Sequence, residues 1–160
     1  MEPTIILDAS GILRSSMDYS RGGYAITGSV LQELASELAK TIIEENIRKG
    51  NIKIMSCTEK GLSAARQAAS QTGDISALSG QDLEVLACAK EHGLTILSDD
   101  YAIQNTAAKM GLKTVSSTQK GISREITWVW SCQGCGKGMA GPGICEICGH
   151  KGRRRPGKII

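Results

Sequence analysis

The sequence predicts an α/β fold, a parallel sheet covered by helices on both faces, followed by a small module that cannot hold itself together without help. Three observations predict it. Short aliphatic runs alternate with stretches of helical period through the first 115 residues, which implies strand–helix–strand crossovers. Apolar residues make up 41% of the chain with no Phe at all, so the core must be built from Ile, Leu, Val, Ala and Met. Four of the six cysteines fall in two C-x-x-C pairs close to the C-terminus, in a segment too short for a sufficient core.

Residues 4–9 (TIILDA) are an aliphatic run ending at Asp8, the profile of a buried parallel strand. A polar loop through Arg21, Gly22 and Gly23 follows. Thr27 or Ser29 can cap a long helix whose apolar positions Val30, Leu34, Leu38 and Ile42 recur at helical spacing, with Gly50 as its stop. Residues 51–56 (NIKIMS) read as a second strand, and residues 63–72 as an alanine-rich helix closed by Gly73. Ser79 with Asp82 three residues on resembles a capping box, opening a helix that carries Leu83, Leu86 and Ala87 and stops at Gly93. Residues 94–97 (LTIL) form another buried strand that runs into Ser98, Asp99 and Asp100. A short helix to Met110 and a last strand over 112–115 complete the sheet. The polar stretch 116–121 marks the boundary, giving a first domain over 1–118, a linker over 119–124 and a C-terminal module over 125–160.

No apolar run approaches the roughly 20 residues of a membrane span, and Met1 leads directly into a strand-like segment rather than a basic and hydrophobic leader. A cytoplasmic protein without a membrane partner is expected. The net charge of +3 is unevenly spread: residues 1–119 hold 11 Lys/Arg against 14 Asp/Glu, and residues 120–160 hold 8 against 2. The C-terminal module therefore favours a polyanion.

Cys132-Gln-Gly-Cys135-Gly and Cys145-Glu-Ile-Cys148-Gly are two copies of one knuckle separated by nine residues. A glycine after the second cysteine permits the tight turn that aims backbone amides at thiolate sulfur. Four thiolates complete a tetrahedral shell around one Zn²⁺ with no open position, so the ion is expected to be structural and His150 a bystander. The pattern resembles that of a zinc ribbon. Cys57 and Cys88 stand alone and read as buried thiols. Trp128 and Trp130 share one face of the strand entering the ribbon, where they could stack on bases or pack against protein. Lys151, Arg153, Arg154, Arg155 and Lys158 form a basic run that could be a solvated tail but beside such a module suits phosphate contact better.

In an open parallel sheet ligands bind beyond the carboxyl ends of strands, where Asp8 and the Asp99/Asp100 pair fall. Glu33 and Asp82, each near the start of a helix, can face the same edge. Any one of these acids could be only a helix cap. Gathered together they would repel one another unless divalent cations neutralise them, and carboxylates without nearby His or Cys select Mg²⁺ or Mn²⁺.

Asp8-Ala-Ser10, residues 27–33 (TGSVLQE), residues 78–83 (LSGQDL) and Ser98-Asp99-Asp100-Tyr101 resemble, in order and spacing, the acidic motifs of PIN-domain nucleases. The residues Tyr101-Ala-Ile-Gln104-Asn105 and the appended ribbon resemble the Nob endonuclease family, which makes the final cut at the 3′ end of small-subunit ribosomal RNA. The resemblance implies a metal-dependent endonuclease for single-stranded RNA, with archaeal rather than eukaryotic dimensions. Asp8, Glu33, Asp82 and Asp100 would be catalytic; Asp99 is second choice for the fourth acid, since position relative to Ser98 favours Asp100. Asp8, Asp82 and Asp100 would hold one or two ions. Small-subunit precursor rRNA, the pre-30S particle and ribosome-assembly factors would be the partners. Attack by a metal-activated water predicts a 5′-phosphate product. Two competing readings are a non-catalytic RNA-binding or ribosome-binding adaptor and a toxin-type PIN ribonuclease, of which the second leaves the ribbon unexplained.

Overall fold

The computed structural model describes residues 1–14, 17–117 and 126–159. In chain order the first part is β1 (Ile5–Leu7), α1 (Ala9–Arg14), β2 (Tyr24–Thr27), α2 (Gly28–Glu33), α3 (Glu37–Arg48), β3 (Ile52–Met55), α4 (Glu59–Thr72), α5 (Gly80–His92), β4 (Thr95–Leu97), α6 (Tyr101–Lys109) and β5 (Thr114–Val115). The five strands form one sheet in the order β3-β2-β1-β4-β5, and every neighbouring pair is parallel. Leu7 pairs with Leu97, so Asp8 and Ser98 leave the sheet side by side at its carboxyl edge. The expected α/β class holds, with an aliphatic core of Ile6, Leu7, Ile26, Ile52 and Ile96 from the strands and Ile43, Leu86 and Ile103 from the helices. Burying each such side chain contributes roughly 1.5–3 kcal/mol.

Three stretches of this first part differ from expectation. The loop between Asp8 and Thr27 contains α1 and the whole of β2, a strand of four residues whose pattern merges with the helix directly after it. The single long helix expected from Thr27 to Gly50 is two helices. Leu34 leaves helical geometry at φ −60°, ψ 107°, and the Ser36 hydroxyl accepts a hydrogen bond from the Ala39 N–H and starts α3 afresh. The break re-phases the apolar face, so Ile43 is buried while Leu38 and Ile42 are exposed. The alanine-rich helix starts earlier than expected, at Glu59, because Thr58 caps it through the Gly61 N–H.

The second sheet is antiparallel, β7-β6-β8, from β6 (Ile126–Cys132), β7 (Gly138–Met139) and β8 (Gly152–Ile159). Here the expected basic tail is a strand: Arg153, Arg154 and Arg155 pair with Ser131, Trp130 and Val129 of β6. Three consecutive arginines, a proline and two glycines hid it, since β8 owes its order to pairing with β6 and not to its own propensity. Lys158 lies on β8 with its side chain outside the described residues. The expected linker at 119–124 also lies outside them. Cys88 is buried in α5, where desolvation pushes its thiol up to about 11. Cys57, half-buried, is raised by the same cause and by nearby Glu84 and Glu91. No helix among the described residues is long and apolar enough to cross a membrane.

Candidate active site and cysteine centre

Asp8 follows β1 and is buried. Its Oδ2 accepts hydrogen bonds from the Ser10 N–H at 3.2 Å, the Ser10 hydroxyl at 2.6 Å and the Ser98 hydroxyl at 2.9 Å. Among the described residues its Oδ1 accepts none. Ser98 also accepts from the Asp100 N–H at 3.1 Å, so one hydroxyl joins the ends of β1 and β4. Asp100 caps α6 with Oδ1, 2.7 Å from the Ala102 N–H.

Asp82 is the third residue of α5 and closes the expected capping box, its Oδ2 accepting from the Ser79 N–H at 2.7 Å and the Ser79 hydroxyl at 2.8 Å. Burial pushes the Asp82 carboxyl above its ordinary range; the Ser79 bonds oppose the shift, and the charges of Asp8 and Asp100 add to it. The charges of two acids from two other segments thus reach Asp82. Each of the three uses one oxygen for local structure and leaves the other free among the described residues. Carboxylate oxygens are the hard donors that Mg²⁺ or Mn²⁺ prefers; among the described residues only the four cysteines form a group of three or more donors close enough together to hold an ion as they stand. Glu33, the last residue of α2, is exposed and has no hydrogen-bond or ion-pair partner among the described residues.

The Asp99/Asp100 alternative divides cleanly. Asp99 is buried and turned the other way, with Oδ1 accepting from the Ser117 N–H at 2.8 Å and from the Ser116 hydroxyl, and Oδ2 from the Ser117 hydroxyl. It ties the end of β5 to the end of β4. Gln104 and Asn105 are scaffolding: the Gln104 amide donates to the Ser98 carbonyl at 2.8 Å, and the Asn105 amide to Asp74 Oδ2 at 2.6 Å.

Sequence reasoning missed Asp74 and Glu84. Asp74 is fully buried just beyond the α4 cap, yet in sequence it follows a helix-stop glycine like any loop acid. Desolvation raises its carboxyl, opposed by Asn105, Thr72 and Arg154, while Asp100 adds to the rise. Glu84 accepts a hydrogen bond from the Ser29 hydroxyl, fastening α5 to the first turn of α2. Nothing local in the sequence marks either partnership.

In the ribbon the four cysteine sulfurs lie within 4.8 Å of one another, with Cys132 and Cys148 3.2 Å apart and Cys135 and Cys145 3.7 Å apart. A disulfide needs about 2.05 Å, whereas a tetrahedron of sulfurs about 2.3 Å from zinc has edges of about 3.8 Å. The cluster therefore fits zinc. Both knuckle glycines, Gly136 and Gly149, take the left-handed φ of +74° that the expected turn demands. The His150 N–H, then Cys132, draw the Cys148 thiol down to about 7. The His150 ring lies 3.2 Å from the Cys148 carbonyl oxygen and is not one of the four clustered ligands.

Strand pairing sorts the expected RNA contacts. Arg154 shares a face with Trp128 and Trp130, its guanidinium 4.5 Å above the Trp128 ring centroid. Lys151, Arg153 and Arg155 are exposed, and Arg153 and Arg155 alternate to the opposite face of β8. Trp128 and Trp130 are both half-buried.

Residues 5–91, more than half of the chain, match the family described as the PIN domain of ribonuclease. Endoribonuclease Nob1 of Pyrococcus abyssi is 37% identical over 148 residues, covering 91% of this chain and 89% of that protein. Ribonuclease VapC1 of Thermoplasma acidophilum is 32% identical over 150 residues, 93% of this chain and 76% of the relative. Endoribonuclease Nob1 of Methanothermobacter thermautotrophicus is 31% identical over 153 residues, 91% and 89%. With acids at the carboxyl edge of a parallel sheet and relatives of this identity along nearly its whole length, the chain belongs to the PIN-domain ribonuclease family.

Proposed function

We propose that this PIN-domain protein is an endoribonuclease that cuts single-stranded RNA in the cytoplasm and matures the 3′ end of small-subunit ribosomal RNA within the pre-30S particle. One observation carries the nuclease reading: Asp8, Asp82 and Asp100, brought from three segments to one edge, each keep an oxygen that local structure does not use. The ribosomal substrate is supported by the relatives named Nob1.

Asp8, Asp82 and Asp100 would hold one or two Mg²⁺ or Mn²⁺ ions, which when bound supply charge neutralisation at the phosphate and an activated water. The chain's own part is positioning. Ser98 fixes Asp8 and the Asp100 backbone together, and the capping box sets the Asp82 rotamer. Glu33, exposed at the end of α2, would complete the shell or orient water. The route through the RNA 2′-hydroxyl needs an acid–base side chain, and neither histidine serves: His92 is about 15 Å along α5 from Asp82, and His150 sits on the second knuckle. The product should carry a 5′-phosphate and a 3′-hydroxyl.

The experiment is cleavage of a precursor-rRNA 3′ fragment with Mn²⁺ or Mg²⁺, comparing the intact protein with Asp8→Asn. Loss of cleavage with fold and RNA binding retained is expected. A wild-type product ending in a 2′,3′-cyclic phosphate would overturn the mechanism. RNA binding without metal-dependent cutting would favour the adaptor reading, for which the caps on Asp82 and Asp100 are the supporting observation.

A further inference from the structure

The basic run on β8 contains one arginine that is half-buried where its neighbours Arg153 and Arg155 are exposed. Arg154 reaches Asp74 Oδ1 at 3.3 Å, and Asp74 is wholly buried. The other oxygen of Asp74 holds Asn105 of α6, the helix whose N-terminus Asp100 caps. On its way the guanidinium covers Trp128, and β6 comes so close to the end of α4 that a Cβ on Gly73 would lie 2.6 Å from the Trp128 carbonyl oxygen. A salt bridge therefore runs from the ribbon, through a carboxylate shielded from water, to the helix that carries a candidate catalytic acid.

We propose that Arg154 is a positioning residue that docks the ribbon on the α4–α5 turn and holds α6 through Asp74 and Asn105, leaving phosphate contact to Arg153 and Arg155. The division follows from strand geometry, in which successive side chains point to opposite faces. It also follows from chemistry. A guanidinium stacked on an indole and paired with a buried carboxylate has its charge engaged, whereas exposed Arg153 and Arg155 keep theirs for RNA. The assignment of Arg153 and Arg155 rests on the proposed RNA activity; the docking role does not.

The test uses the full-length, zinc-loaded protein with Arg153→Ala, Arg155→Ala, Arg154→Ala and Arg154→Lys. Two readouts need no RNA: hydrogen exchange of the amides of residues 73–78 and intrinsic tryptophan emission, both tryptophans lying on β6. Arg154→Ala should speed that exchange and shift the emission, Arg154→Lys should recover part of both, and the neighbouring alanine variants should change neither. Two further readouts use a single-stranded RNA with Mn²⁺. Arg153→Ala and Arg155→Ala should each flatten the log–log salt dependence of binding by about 0.7. Arg154→Ala should leave that slope alone and slow cleavage at saturating RNA on the order of tenfold to a hundredfold, as misplaced catalytic groups do.

Should Arg154→Ala not fold, the pair Asp74→Asn with Arg154→Met, which leaves no unpaired buried charge, replaces it with the same expectations. Unchanged exchange and emission in Arg154→Ala, or a slope lowered by about 0.7 with an unaltered saturating rate, would overturn the docking role. Absence of RNA binding and cleavage in the wild type would remove the nuclease reading while exchange and emission still decided the docking.

Discussion

Asp82 shows how one side chain can close a capping box while standing close to two other acids, and at what cost. Its Oδ2 completes the capping box, an arrangement legible from Ser79 and Asp82 alone, yet burial and the charges of Asp8 and Asp100 raise its carboxyl. Between the ordinary value of 3.8 and the raised folded value, the native state binds more protons than the unfolded one. Stability from this group therefore falls as pH rises through that window, and the metal-free protein carries the full cost at neutral pH. Asp82→Asn, which keeps an acceptor for Ser79, should gain denaturant resistance relative to wild type near pH 7, and less or none at about pH 3. Mn²⁺ at neutral pH should restore the wild type's advantage, because only the carboxylate rewards the cation. An identical difference between the two proteins at both pH values would refute the raised Asp82 carboxyl. Asp99 and Asp100 could not be told apart by spacing with certainty because adjacent residues differ only in direction. Direction is set by Ser116 and Ser117, which capture Asp99 from a segment far along the chain.

At the level of elements, the sequence revealed features whose signal is local. The caps at Ser79 and Gly93, the glycine stop of α4 and the buried runs of β1 and β4 all match their expected places. Elements without such a signal were lost: β2 is four residues followed at once by a helix, and the α2–α3 break depends on Ser36 outcompeting a continuous apolar stripe. Two glycines that look alike in sequence differ in consequence. Gly93 has φ +66° with open space around the missing Cβ, and Gly73 has φ +79° with the Trp128 carbonyl against it. Gly93→Ala should cost about 1–2 kcal/mol, the conformational penalty alone. Gly73→Ala should cost more and should also shift tryptophan emission, since β6 must withdraw. Equal costs from thermal melts, with unchanged emission for Gly73→Ala, would show that the close approach does not persist in solution.

For the molecule as a whole, we propose that residues 1–118 and 125–160 fold as separate units, each with its own sheet. The first buries a full aliphatic core, and the second has cysteines where a core would be. Metal removal should then unfold the ribbon and leave the first sheet intact, because no clustered cysteine precedes Cys132. An NMR titration with a zinc chelator checks this. Simultaneous loss of dispersed signals from both parts would mean that the two fold as one. That a small cysteine-rich module follows the α/β part was visible in the cysteine spacing and the charge asymmetry. The contact between the parts was not, because it depends on a buried loop acid and on which way one arginine in a row of three happens to point.

The placement of the six cysteines gives the molecule a built-in counter of its own folding. In the metal-loaded native state four sulfurs would be engaged, Cys88 is buried with its proton held tightly, and Cys57 is half-covered. A thiol reagent near neutral pH should find almost nothing to modify. After chelation the four ribbon sulfurs should react quickly while Cys57 lags and Cys88 remains silent; only denaturant should release all six. The stoichiometry of labelling would thus pass through three plateaus. A bench colorimetric assay could then distinguish an intact protein, one with only its nuclease half folded, and an unfolded chain.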